Sequence, residues 1–212
     1  MNAELYNGYW ISTDTYLTQE HRDINARKIY SYLSGLGWTA ESIAGILGNA
    51  DVESSMNPAL IEGRQVHTLI DNSTALQIND TTGVGIVQWT GHTPTAPQGQ
   101  KLVSFAIRHN ENWYDGDLQC YRLEAEHDND LQFDHGTIHG VYYDWTIYVA
   151  STATPEELAY VWQMLYERGG TDTQRRQEKA RYYYELLTEL PVWLIFQMFK
   201  RKKGLKRKCQ KI

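Results

Sequence analysis

Cysteine is nearly absent from this chain: two among 212 residues, Cys120 and Cys209. So sparse and so widely spaced a pair excludes a disulfide framework and a Cys-rich zinc site. Proline is scarce as well, at five, and no low-complexity or repeated segment appears. There is no run of 18 apolar residues, so no segment reads as a helix crossing a membrane. The N-terminal stretch "MNAELYNGYWISTDTY" has neither a basic region nor an apolar region after it, so no secretory signal is expected.

Acid exceeds base, with a formal net charge of −6, and the excess is unevenly spread. The last 13 residues, "KRKKGLKRKCQKI", hold eight Lys or Arg and no acid, which leaves 12 basic against 26 acidic residues in the body. An acidic body argues against nucleic acid as a partner, since such binders carry a basic face on the folded domain. Aromatics are plentiful, with 15 Tyr and 7 Trp. They suit flat ring-shaped partners such as sugars, and equally they fill cores.

Helical spacing is clear in several places. Ile24, Ile29, Leu33 and Leu36 predict a helix over about 20–35, stopped by Gly35 and Gly37. Thr39 is a candidate N-cap for a second helix, about 40–50, with Ile43, Ala44, Ile46 and Leu47 as its buried stripe and Glu53 at or just past its end. Thr154-Pro155-Glu156-Glu157 forms a capping box with proline at the first helical position. That helix halts at Gly169-Gly170, and a last one runs from Thr173 to about Glu189. Weaker helical patterns cover about 100–109 and 117–131. Between 58 and 90, β-branched residues and turn formers predict short strands, with turns at Asp71-Asn72 and Asp80 to Gly83, and "HTPTAPQG" predicts a loop. The fold class expected is α+β, mostly helical, with a small antiparallel sheet between the second and third helices.

Glu53 is the candidate for chemistry. Glycoside hydrolysis needs a carboxylic acid still protonated near neutral pH, and burial against apolar walls provides one. A glutamate at the end of a buried helix has that setting, whereas most helix-end glutamates are solvated charges. After "ESSMNP" comes "GVGIVQWT", residues 83–90, where Gly83 and Gly85 allow close backbone approach and Gln88 and Trp89 offer an amide and an indole plane.

This combination, Glu-Ser-x-x-Asn-Pro followed by Gly-x-Gly-x-x-Gln, resembles the lysozyme-like superfamily of goose-type lysozymes and soluble lytic transglycosylases. Within it the chain is most similar to bacteriophage tail-tip lysozyme domains. The matching text is "YLT", "NARKIYSYLSGLGWT", "IAGILGNADVESSMNP", "GVGIVQWT" and "ELAYVWQMLYER", in that order over 16 to about 187. The resemblance implies a lysozyme-like fold whose sheet lines a saccharide cleft. It implies Glu53 as catalytic acid, Ser54 as its local support and Gln88, with Trp89, against the saccharide. Tyr166 and Glu167 of "LYER" match a further block, Tyr166 facing either Glu53, the substrate or the core. A second carboxylate is sought at Asp80 or Asp71, each of which also reads as a turn residue capping its own backbone, and Asp51 lies near. No metal or organic cofactor is implied, and the partners implied are bacterial peptidoglycan and other phage tail proteins, with the virion tail as location.

Two rivals stand beside this reading. A glycan-binding tail module without catalysis would have no need of an acid at Glu53. A cell-wall peptidase or amidase would use His127, Asp128, Asp130, His135 and His139 as metal ligands, although no His-Glu-x-x-His pattern occurs and a solvated turn-rich loop explains the segment. The expected organisation is one domain over 1–190 and an apolar-then-basic tail over 191–212. Near an anionic membrane each basic residue of the tail would add about 1 kcal/mol, and acidic cell-wall polymers offer it a similar surface.

Overall fold

The computed structural model describes residues 10–13, 16–63, 69–90 and 102–188. The predicted loop at 92–99 and the tail at 191–212 lie outside them. Eight helices are described: α1 (Gln19–Gly35), α2 (Ala40–Ser54), α3 (Asn72–Ala75), α4 (Leu102–His109), α5 (Gly116–Asp128), α6 (Trp145–Ala150), α7 (Pro155–Leu165) and α8 (Thr173–Thr188). Strands β1 (Gly136–Ile138) and β2 (Val141–Tyr143) pair antiparallel, Thr137 opposite Tyr142. The α+β, mostly helical class is therefore the observed one.

Helix α2 is the axis of the fold. Thr39 caps it by accepting from the Ser42 amide, and every residue from Ser42 to Asp51 is buried. A helix apolar on all sides must be wrapped on all sides, and α1, α6, α7 and α8 do so. Two glycines permit the closest approaches. A Cβ at Gly45 would meet the Tyr148 hydroxyl at 2.8 Å and the Leu158 backbone of α7 at 2.9 Å. A Cβ at Gly48 would run into the Arg176 carbonyl of α8 and meet the Ala180 Cβ at 2.8 Å. The capping box read at Thr154 is present, its hydroxyl accepting from the Glu157 amide.

The helix runs about four residues past its expected end, to Ser54, so Glu53 lies inside its last turn. Ser55 and Met56 then take left-handed backbone angles (φ 52° and 56°), unusual for residues other than glycine. An N-terminal strap fixes this reversal. Ser55 Oγ accepts from the Leu17 amide at 2.8 Å. Asn57 accepts from the Thr13 amide at 3.2 Å and donates to its carbonyl at 2.7 Å. Asn25 exchanges hydrogen bonds with Ile11 and donates to the Met56 carbonyl.

The sheet is not where the sequence placed it. Among the described residues of 58–90 there are one short helix, α3, and two isolated bridges in which Val84 pairs with both Ile61 and Trp89. Turns at 80–83 and 85–88 leave Val84 no strand to extend into, and side chains replace the ladder. The Ile86 amide donates to Gln119 Oε1, the Gly83 amide to Glu62, and Ser54 Oγ donates to the Ile86 carbonyl. The two-stranded sheet forms instead in the histidine-rich segment read as a loop. There His139 and Gly140, both at positive φ (48° and 84°), supply the primed turn that closes a two-residue hairpin.

The aromatic surplus fills the core. Trp38, Trp89, Trp113, Trp145 and Trp162 are all buried. Trp145, Phe133, Tyr148, Trp162 and Tyr166 form one continuous cluster, with Trp162 and Tyr166 stacked at 3.9 Å.

Candidate active site

A cavity of about 310 Å³ opens between the 80–90 segment and the chain that follows α7. Asp80, Val87, Gln88, Trp89 and Thr90 line one side; Gln132, Tyr166, Glu167 and Arg168 line the other. Gln88 sits at φ 52° and its amide nitrogen donates to the Gly85 carbonyl at 2.7 Å, which fixes the side chain against its own turn. Gly83 is needed there because a Cβ would meet that amide oxygen at 2.8 Å.

Trp89 and Tyr166 reach the cavity from opposite walls and share one buried anchor. The Trp89 indole donates to Glu126 Oε1 at 3.0 Å and the Tyr166 hydroxyl donates to Glu126 Oε2 at 2.7 Å. Glu126 and Arg122 are both buried, one turn apart on α5, with Nη2 and Oε1 2.8 Å apart but out of line for a hydrogen bond. Burial pushes the Glu126 carboxyl upward, opposed by the Arg122 charge and by the hydrogen bonds from Tyr166 and Trp89. The Tyr166 hydroxyl thus faces Glu126 rather than Glu53.

Glu53 does not line the cavity. Its side chain is 26% exposed and accepts from Arg176 Nη2. Arg176, 5% exposed at its side chain, is itself fully placed: Nη1 donates to Asn49 at 2.8 Å and Nε to the Thr171 carbonyl at 3.2 Å. The close contact of α8 on Gly48 delivers this guanidinium to the end of α2. Asp51 secures the same junction, bonded by the Tyr183 hydroxyl at 2.6 Å and paired with Arg22 and Lys179.

Glu167 lines the cavity and feels the charges of both Glu53 and Arg176. It is half-buried just beyond α7 and accepts from the Trp162 indole at 3.1 Å. Burial first, and the Glu53 charge second, raise its carboxyl from an ordinary 4.5 to about 8, against the opposing effects of the Trp162 hydrogen bond and Arg176. Burial thus favours the protonated form of the Glu167 carboxyl.

The remaining candidates fall on both sides. Ser54 is fully buried, its hydroxyl given to the Ile86 and Ala50 carbonyls, so it supports the cleft wall and cannot touch a ligand. Asp71 caps α3, accepting from the Thr74 amide and the Ser73 hydroxyl, and those bonds lower its carboxyl; it does not line the cavity, whereas Asp80 does. The histidines disperse: His127 pairs with Asp128, His135 with Asp130 and His139 with Glu157. Among the described residues no three His, Cys, Asp or Glu side chains converge as metal ligands.

Sequence reasoning missed Arg176 and Glu126. Both carry a helical signal. Arg176, Ala180 and Tyr183 are the buried positions of α8, and Gln119, Arg122, Leu123 and Glu126 follow the same spacing on α5. Charged residues at buried-stripe spacing mark buried polar networks.

The family model for phage tail lysozyme matches residues 24–187. Morphogenesis protein 1 of Bacillus phage B103 is 31% identical over 178 residues, which make up 84% of this chain and 43% of that protein. The chain therefore spans less than half the length of that relative. With Glu53, the cavity and Glu167 all inside the matched stretch, the chain belongs to the phage tail lysozyme family.

Proposed function

We propose that this protein cleaves the glycan strand of peptidoglycan at the β-1,4 bond between N-acetylmuramic acid and N-acetylglucosamine, with Glu53 as general acid. The observation that carries the reading is a cavity walled by Gln88, Trp89, Tyr166 and Glu167, with Glu53 held by Arg176 at the end of α2 and its charge felt at Glu167. Cleavage of a glycosidic bond needs a proton for the leaving oxygen and a placed saccharide, and this arrangement supplies groups for both. In the proposed reaction Glu53 protonates the glycosidic oxygen as the bond to C1 breaks. Water, or the sugar's own hydroxyl, then attacks C1 and returns a proton to the site. Family membership supports a lytic role in a phage tail, and the relative named for morphogenesis supports a place in the virion. The protein would then act on the host cell wall during infection.

The test is mass spectrometry of soluble products after purified protein digests peptidoglycan, beside Glu53→Gln and a chelator control. Muropeptides cut in the glycan strand are expected, with lysis by Glu53→Gln reduced at least about a hundredfold. Cut peptides, chelator sensitivity or undiminished lysis by Glu53→Gln would overturn the reading. Glycan bound without cleavage would make the protein a binding module.

A further inference from the structure

Three clusters of charge stand apart from the reacting groups. Asp51, with Arg22 and Lys179, ties α2 to α1 and α8 and lines neither this cavity nor a second one. That second cavity, beside His109, Asp115 and Asp117, is an acidic surface whose carboxylates cap α5 and bond Trp10. The third cluster, Arg122 with Glu126 on α5, bonds directly to two walls of the first cavity.

We propose that Glu126 is the positioning residue of the cavity: one buried carboxylate that holds the Trp89 and Tyr166 walls in place and so sets how firmly the glycan is bound. This rests on the proposed glycosidase reading, in which the cavity takes the saccharide. Glu126 is 1% exposed and acts through the two side chains it bonds. The geometry joins three stretches remote in sequence. Glu126 stands in the last turn of α5, Trp89 follows the turn at 85–88, and Tyr166 caps the end of α7. The indole N–H goes to Oε1 at 3.0 Å and the phenol O–H to Oε2 at 2.7 Å, so each carboxylate oxygen holds one wall. Arg122 supplies the counter-charge, with Nη2 2.8 Å from Oε1 and its guanidinium 5.2 Å from the centre of the Phe105 ring.

The two walls depend on Glu126 unequally. Tyr166 has a second hold, its stack on Trp162. The main chain of Trp89 pairs with Val84 in both directions, which fixes its backbone, and the bond to Glu126 fixes the turn of its ring. An indole N–H can only donate, whereas a phenol donates or accepts. Without the carboxylate the indole N–H is left buried with no acceptor, a costly state, and the ring gains by turning toward the water of the cavity. That wall then enters the space the sugar needs. Glu53, bonded to Arg176 at the end of α2, stands outside this network. Loss of Glu126 should therefore weaken binding and spare the chemical step.

The experiment measures kcat and KM for cleavage of a soluble peptidoglycan tetrasaccharide, with hydrogen exchange of the Trp89 indole proton followed by NMR. Removing the carboxylate alone would strand the Arg122 charge in the interior, so the pair is replaced as a unit. In the first double variant, Arg122→Met with Glu126→Met, no acceptor remains. Its KM should rise at least about tenfold with kcat within about threefold, and its indole proton should exchange faster. In the second, Arg122→Met with Glu126→Gln, the amide oxygen accepts from Trp89 and the amide nitrogen donates to the phenol. Its KM should recover to within about threefold of wild type. Glu126→Asp keeps the charge but withdraws both oxygens by one methylene, so its KM should rise at least about threefold; it decides if the first double variant does not fold. An unmoved KM in the deciding variant overturns the proposal, and so does a fall in kcat alone. A folded second double variant that recovers nothing also overturns it, as does a lowered melting temperature with both constants unmoved, the merely structural outcome. All of these leave Glu53 standing as the acid. A tetrasaccharide left intact by wild type, or still cut by Glu53→Gln, sinks the underlying reading and takes the proposal with it.

Discussion

Removing the Tyr166 hydroxyl, by Tyr166→Phe, should cost stability and leave lysis almost intact. The hydroxyl donates at 2.7 Å to Glu126 Oε2, while Oε1 of the same carboxyl already has Trp89 and Arg122. Tyr166 and Glu126 are 2% and 1% exposed, so no solvent replaces the lost donor. A buried hydrogen bond to a charged group contributes about 1.5–3 kcal/mol, so a loss of about 2 kcal/mol is expected. The ring stays stacked on Trp162, and removal of one oxygen opens no sizeable void. For a chain of this size 1 kcal/mol moves the melting temperature by about 2–4 °C, which gives a fall of about 4–8 °C. Circular dichroism melting near neutral pH measures it, beside lysis assayed well below the transition, where activity should stay within about threefold of wild type since the phenol is not on the reacting groups. An unchanged melting temperature with lysis down a hundredfold or more would refute the reasoning, because the hydroxyl would then be acting on Glu53 or the saccharide.

Two further substitutions test the frame around the site. Gly48→Ala gains up to about 1 kcal/mol of helix propensity but drives a methyl into the Arg176 carbonyl and Ala180. Overpacking against backbone should win by about 1–3 kcal/mol, lowering the melting temperature and weakening lysis through the displaced Arg176; a stabilised, fully active variant would show that α8 does not seat there. Asp71→Ala removes the cap of α3 and should leave the rate of lysis within about twofold, since no contact reaches the cavity. A profound loss would restore Asp71 as a catalytic carboxylate.

Much of this architecture is legible in the sequence where one physical signal dominates. The stripe of α2 and the capping box of α7 are local, and their helices form where those signals place them. The chemistry of Glu53, Gln88 and Tyr166 rests on resemblance, which gives order along the chain but no partners. The segment 58–90 misleads because β-branched residues suit a strand only when a neighbouring strand exists to pair with. Here side chains from α2 and α5 take up the amides and carbonyls instead. Arg176 and Glu126 escape because a charge is read as solvent-facing, and the partners that bury them lie far along the chain, Trp89 and Tyr166 for Glu126 and Asn49 for Arg176. Only the assembled fold brings the Glu53 charge to bear on Glu167, for α2 and α7 meet through Gly45.

The strap formed by residues 10–13 and 16–17 bears on where a minimal domain can be cut. The family match starts at residue 24, and a fragment trimmed to it would keep every side chain of the site. It would also strip Asn57 of the Thr13 backbone, Ser55 of the Leu17 amide and Asn25 of Ile11, all three residues being buried. Each buried polar group left without its partner costs about 1–3 kcal/mol, and together these rival the whole stability of an ordinary domain. The turn held in left-handed conformation directly behind Glu53 would be the first part to relax. For anyone recombining such domains between phages, the unit to move includes the strap, because the turn behind Glu53 is held by residues that precede the family-model match.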